Sequence, residues 1–217
     1  NISYSSIDGE LIAYSNGCDV FNSNFELMDN GEDINPGEVH DVQCVIDNYP
    51  SLQNSLMLPD PGGIGVYFYH KNVENHWYGN EIVTGAFDVM FTYIDPINNK
   101  VTKKNELIQN RVVHNSGFTE AIQHANGQDW WILDFSQWDS LEVTQDDTLM
   151  YVYRIDKDSF YYHHSQEVGN SSVLDTRCSV GGQSAFSSEG RTFAMYCPLS
   201  GLDLYDFDRE TAILSNY

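Results

Sequence analysis

Ala121-Ile122-Gln123-His124-Ala125-Asn126-Gly127-Gln128-Asp129-Trp130-Trp131-Ile132-Leu133 reads as a short strand, a tight turn with glycine at its centre, and an apolar strand. The same order recurs three more times. It is found in Ser5-Ser6-Ile7-Asp8-Gly9-Glu10-Leu11-Ile12-Ala13-Tyr14. It returns in Ser55-Leu56-Met57-Leu58-Pro59, which leads through Gly62, Gly63 and Gly65 into Val66-Tyr67-Phe68-Tyr69, and again in Ser184 to Tyr196 around Gly190. Gly9, Gly65, Gly127 and Gly190 stand 56, 62 and 63 positions apart. A recurring spacing of about that size is the mark of a repeat architecture.

A second hairpin follows at least three of these units, each with an aspartate at its turn: Asp95, Asp156 and Asp208. An aspartate there can accept the turn amides through its side chain. Two hairpins per period make a four-stranded antiparallel sheet, the unit of a β-propeller blade. The expected fold is therefore all-β, with about four blades at 1–50, 51–115, 116–180 and 181–217, the last short of strands. A β-sandwich of look-alike hairpins is the alternative. Helical periodicity is scarce, and the one helix-compatible stretch, Lys104 to Arg111, has no convincing apolar face.

Of 217 residues, 32 are Asp or Glu and 10 are Lys or Arg, a formal net charge of −22. Such a surface repels nucleic acid phosphates and anionic membranes. At 41% hydrophobic and 13% aromatic, the chain has the apolar content of a folded domain and not of an acidic disordered tail. No apolar run approaches the roughly 18 residues of a bilayer span, so direct membrane insertion is not expected. The opening Asn1-Ile2-Ser3-Tyr4 has no initiator Met, which points to sequence upstream.

Cys18, Cys44, Cys178 and Cys197 form an early and a late pair. Local pairing, Cys18 with Cys44 and Cys178 with Cys197, closes short loops and is preferred over crossed pairing. Disulfides persist outside the cytoplasm, which points to an extracellular protein. Four reduced, buried cysteines in a cytosolic protein are the alternative.

The string Ile7-Asp8-Gly9-Glu10-Leu11-Ile12-Ala13-Tyr14-Ser15-Asn16-Gly17-Cys18-Asp19-Val20-Phe21-Asn22, with Met28-Asp29-Asn30-Gly31 after it, resembles the opening of secreted propeller proteins of the Bacteroidota. Gln53 to Gly62, His124 to Ile132, Phe186 to Gly190 and Leu204 to Arg209 fit the same family in the same order. The resemblance implies cargo of the type IX secretion system, usually multidomain, with roles at the cell surface in adhesion, gliding or polymer capture. It also implies further blades, so that the chain is a segment of a larger propeller or else closes as a four-bladed one.

Chemistry leaves fainter marks. No G-x-S-x-G elbow is present, and Ser184 reads as structural. His40 and Cys44 fail as a nucleophile pair if Cys44 is bridged. Seven histidines show no zinc-ligand spacing, and the neighbours His163 and His164 should point to opposite faces of an extended strand. The acidic loop carrying Asp29, Glu32, Asp33 and Asn35 has enough oxygens for calcium but departs from the EF-hand pattern. Ser187 to Phe193 superficially resembles the Asp-box of sialidases but reads better as a turn. Asp134, Asp139, Asp146 and Asp147 are not paired by any motif.

Among the aromatic residues Trp77, Tyr78, Trp130, Trp131, Trp138, Tyr161 and Tyr162, core packing explains most. Trp77 and Tyr78, expected in a loop, are the candidates for a ligand site. Asp139-Ser140-Leu141 and Asp147-Thr148-Leu149 match the pattern on which Bacteroidota attach O-glycans, at Ser140 and Thr148. The first expectation is a secreted, non-enzymatic propeller segment serving as scaffold or binding module. Its partners would be other domains of the parent chain, secretion or cell-surface proteins, or glycans. The alternative is a carbohydrate-active enzyme using an Asp/Glu pair, which needs two close carboxylates in a concave site, at least one with a perturbed pKa.

Overall fold

Each Gly-centred and each Asp-centred hairpin of the sequence closes as an antiparallel pair. The computed structural model describes residues 1–46, 48–50, 55–78, 81–110, 113–114, 117–138, 149–168, 182–198 and 201–216. Over these residues the chain is all-β apart from one short helix. It divides into two compact units, Asn1–Ser51 with Ser55–Asn110, and Leu52–Asn54 with Arg111–Tyr217.

The first unit holds two sheets. Strands β1 (Ile2–Ser5), β2 (Leu11–Ser15) and β3 (Val20–Asn22) form an antiparallel meander, and an isolated bridge from Phe21 to Leu27 adds a rung of a fourth strand. Helix α1 (Glu38–Gln43) follows. Strands β4 (Leu56–Pro59), β5 (Val66–Tyr78), β6 (Glu81–Asp95) and β7 (Lys100–Gln109) form the second meander in chain order. Ala13, Val20, Met28 and Ile34 pack against Met57, Val66, Phe68, Ile94 and Val101, so the core lies between the two sheets. A bridge from Asp29 to Lys100 joins their edges.

The second unit repeats the arrangement. A short β8 (Val113–His114) pairs with β10 (Trp130–Trp138). Strands β9 (Glu120–Gln123), β10, β11 (Leu149–Ile155) and β12 (Phe160–Glu167) form one meander. Strands β13 (Gln183–Phe186), β14 (Thr192–Cys197), β15 (Gly201–Asp208) and β16 (Ile213–Ser215) form the other. The last period thus holds a full set of four strands. Trp131, Leu133, Phe135, Met150 and Val152 pack on Phe193, Met195, Tyr205 and Phe207. The alternation along β15, with Tyr205 and Phe207 buried and Leu204, Asp206 and Asp208 exposed, is the period-two pattern of a half-buried strand.

The period has a local cause. Gly9, Gly127 and Gly190 have φ of 82, 73 and 67°, the left-handed conformation that glycine adopts without steric cost. Gly65 does not; a Cβ there would run into the Tyr93 ring. At the second hairpin, Asp95 Oδ1 accepts the amides of Ile97 and Asn98 at 3.1 Å each. Asp156 Oδ1 accepts those of Asp158 and Ser159 at 2.9 Å each, and Asp208 Oδ1 that of Glu210 at 2.8 Å. The first period has the same device in Asn22, whose Oδ1 accepts Asn24 and Glu26 N at 2.9 and 3.0 Å.

Two expectations are corrected. The helix-compatible stretch at 104–111 belongs largely to β7. Its irregularity is a bulge in which Asn105 (φ 54°) donates its amide to Thr92 Oγ1, and Val101 anchors the strand in the core. Trp77 and Tyr78 are not in a loop: they are the last residues of β5, opposite Ile82 and Glu81 in a long hairpin. Their side chains lie outside the described residues.

Candidate functional site

A concave surface of about 820 Å³ opens on the last sheet, lined by Ser187, Glu189, Arg191, Thr192, Asp206, Phe207, Asp208 and Arg209. It is built from two segments. The turn between β13 and β14 is closed by Ser187, whose Oγ accepts the amides of Arg191 (3.2 Å) and Thr192 (3.1 Å). Thr192 faces Asp206 across β14 and β15, and Phe207 N donates to Arg191 O at 2.8 Å, which sets the turn beside the end of β15.

The neighbouring sheet of the same unit holds Arg209 from behind. Trp131 Nε1 and Ala125 N donate to Arg209 O at 2.8 and 3.1 Å. Arg209 Nε in turn donates to Gln123 O at 2.9 Å. The turn between β9 and β10 is itself fixed by Asn126, whose Oδ1 accepts the amides of Gln128 and Asp129 at 3.0 Å. The His124 to Ile132 motif is therefore a clamp between sheets.

Two carboxylates of this pocket, Glu189 and Asp208, are held ionised. Backbone bonding at Glu189 itself, and then the Ser188 hydroxyl, lower the Glu189 carboxyl below its ordinary value. The Glu210 amide and then the Thr211 hydroxyl do the same for Asp208. Asp206 accepts Asn216 Nδ2 at 2.8 Å. Arg191 is exposed, and so supplies a cationic donor beside these acceptors. The combination can bind a ligand rich in hydroxyl groups. Glu189 and Asp208, both lowered, are unsuited to the protonated role that glycosidic bond cleavage requires of its acid.

A raised carboxyl belongs to Glu120, which burial pushes up to about 7. Glu120 is opposite Leu133 in the β9–β10 register and shares its face. Asp134, the next residue, points to the other face, fully buried, and accepts the Thr119 hydroxyl at 3.1 Å. The two carboxylates are thus not a pair.

The remaining sequence candidates sort as follows. Cys18 and Cys44 are disulfide-bonded with Cα atoms 5.8 Å apart. His40 lies within 4.8 Å of both sulfurs, but the bridge removes the nucleophile. Cys197 is disulfide-bonded as well, while Cys178 lies outside the described residues, as do Ser140 and Thr148. Ser184 is buried in β13, a structural position.

In the acidic loop, Lys100 pairs with Asp29 at 3.1 Å and Lys104 with Glu32 at 3.2 Å. Asp33 O accepts Asn105 Nδ2, and Asn35 Oδ1 lies 2.7 Å from His70 Nδ1. Among the described residues these carboxylates do not converge on a point where calcium would sit.

His163 and His164 do not point apart. The β11–β12 register steps from Val152 opposite His164 to Tyr153 opposite Tyr162, which leaves His163 as the extra residue of a bulge. Their Nδ1 atoms are 2.7 Å apart, one donor and one acceptor. Burial first, then the charges of Arg154 and His124 for His163 and of His163 for His164, lower both imidazoles. Trp131 lies under this edge, its ring 5.0 Å from those of His124 and His163, with the Arg154 guanidinium 5.1 Å above it. Arg154 also binds Asp129 at 2.5 Å.

The pocket residues Arg191, Asp206 and Arg209 were visible only as members of structural motifs. Their signal was the adjacency of the segments 186–190 and 204–209, which the sheet register supplies.

Compared with known proteins, the chain matches no family model, and no curated protein or solved structure gives a significant match.

Proposed function

We propose that the chain is a secreted, non-enzymatic β-propeller segment of a larger cell-surface or exported protein, acting as a binding module, with type IX secretion cargo as its resemblance implies. The carrying observation is the separation of functions in the second unit. In the open pocket Glu189 and Asp208 are kept ionised by hydrogen bonds, whereas the carboxyl raised to about 7, Glu120, is not among the residues lining it. A binding site needs the first alone; a glycosidase needs both in one place.

Four Gly- and Asx-turned meanders packed in pairs support the propeller part of the reading. The Cys18–Cys44 bridge supports an oxidising location, and no helix of the described residues is long and apolar enough to cross a membrane. In the propeller reading each meander is a blade, and the pocket lies at the turn end of the last one.

The test is calorimetry with neutral oligosaccharides, together with a reducing-sugar assay on the same samples. Binding without hydrolysis, weakened about tenfold or more in Asp206→Asn, is the expected result. Hydrolysis abolished by Glu120→Gln or Glu189→Gln would replace the binding module with the carbohydrate-active enzyme.

A further inference from the structure

Phe25 is displayed against its own conformational preference. It sits at the tip of the β3 turn with φ 65°, the left-handed region that a bulky side chain avoids, and it is 72% exposed. Two other turns have a left-handed residue before the returning strand: Asn99 in the second period, at φ 52°, a residue type that tolerates it, and Ala212 in the fourth, at φ 59°, which is small and fully buried. A phenylalanine at this position is strained and gains little from burial. Strain retained for a single ring contact and little burial points to a functional role.

The turn is built to hold it. Phe25 N donates to Asn22 O at 3.1 Å, Asn22 N donates to Glu26 O at 2.9 Å, and the Asn22 side chain accepts the amides on both sides of Phe25. Two more rings lie beside it. Tyr14 and Phe21, directly opposite each other on β2 and β3, are stacked with centroids 4.9 Å apart and planes 15° from parallel. Phe25 is 5.7 Å from Tyr14 at 57°, and Leu27 extends the surface. The exposed polar groups of Ser23, Asn24 and Glu26 border it.

We propose that this surface is a binding site for a neutral glycan, one sugar ring laying its apolar C–H face on the exposed Phe25 ring beside the Tyr14–Phe21 stack while its hydroxyls meet the bordering amide and carboxylate. An exposed ring face with a polar border matches an amphipathic ring of that kind, and a net charge of −22 repels polyanionic polymers. The proposal rests on the binding-module reading and adds a site to it, in the first unit, that does not depend on the pocket of the second.

The experiment uses the full chain and Phe25→Asn, with cellohexaose, xylohexaose and chitohexaose as probes. Asparagine tolerates the left-handed backbone. The expected variant therefore unfolds about 2–4 °C higher, yet binds the preferred hexaose about tenfold more weakly. A lower unfolding midpoint would make Phe25 a packing residue and overturn the proposal. So would unchanged binding in Phe25→Asn alongside loss in Asp206→Asn, which would assign the sugar to the pocket and keep the binding module. Absence of binding to every probe overturns both. Self-association in sedimentation that Phe25→Asn abolishes, with no sugar bound, would assign the surface to a second copy of the chain.

Discussion

Gly190 illustrates how much a single position of the period constrains. Its φ of 67° strains an ordinary side chain by itself, and a Cβ would also collide with Ile122 Cδ1 and lie 2.9 Å from Arg209 Cδ. Gly127 has the same conformation, at 73°, but open space around it. Gly127→Ala should therefore cost about 1–2 kcal/mol, the strain of the backbone. Gly190→Ala should cost about 1–3 kcal/mol more, because Ile122 and Arg209 must shift in a packed seam. Urea unfolding of the two variants measures the difference, and equal losses would show that the seam yields freely. The turn glycines and the Asx aspartates were legible in the sequence because each acts on its own neighbours. Asn22 does the same work but is not legible from the Asp pattern, because it is an asparagine. The strain at Phe25 was not legible at all, since φ follows from the turn and not from the residue that fills it.

At the scale of elements, strands β5, β6 and β7 are tied to the loop before α1 by a buried polar network. His70 is 1% exposed, with Nδ1 2.7 Å from Asn35 Oδ1 and Nε2 2.9 Å from Thr92 Oγ1. Thr92 Oγ1 also accepts Asn105 N, and Asn105 Oδ1 accepts Asn35 N. Burial pushes His70 down to about 3 from its ordinary 6.5. The unfolded chain therefore binds a proton below pH 6.5 that the folded chain refuses. Stability from this group is complete above pH 6.5 and falls by about 1.4 kcal/mol per pH unit on the way down toward pH 3. Glu120 acts in the opposite sense, its folded value of about 7 favouring the folded state as pH falls toward its ordinary 4.5. Because Glu120 is common to both proteins, comparing the chain with His70→Gln isolates His70. Between pH 6.5 and 5 the unmodified chain should lose about 2 kcal/mol relative to the variant, read from urea midpoints. Parallel pH profiles would mean that His70 takes up its proton in the folded state. None of this was predictable from seven scattered histidines, because the partners come from residues 35, 92 and 105. The bulge that turns His163 toward His164 was hidden for the same reason: alternation along a strand holds only while the register does.

At the scale of the whole molecule, the repeat was legible because hairpins are local, and four meanders follow from it. Which faces meet was less so, for it depends on residues far apart in sequence, as Trp131 and Arg209 are. Charge is a property of the whole chain and needs no register. With 32 acidic and 10 basic side chains, most carboxylates have no cation to answer them. The described ion pairs, such as Lys100 with Asp29 and Lys104 with Glu32, are partly exposed and worth about 0–1 kcal/mol each. Salt weakens these few attractions and, at the same time, the repulsion among the unanswered carboxylates. The second effect involves more charges and acts over longer distances, so it wins. Raising the ionic strength from about 0.01 to about 0.1 M shortens the screening length from about 30 to about 10 Å. That removes repulsion between groups across a sheet while leaving contacts near 3 Å largely intact. The unfolding midpoint at pH 7 should rise with sodium chloride over this range. The rise should shrink toward pH 4, where the carboxylates begin to neutralise. A midpoint that falls with salt at pH 7 would mean that the ion pairs outweigh the net charge, and that the acidic surface is balanced by cations placed where they count most.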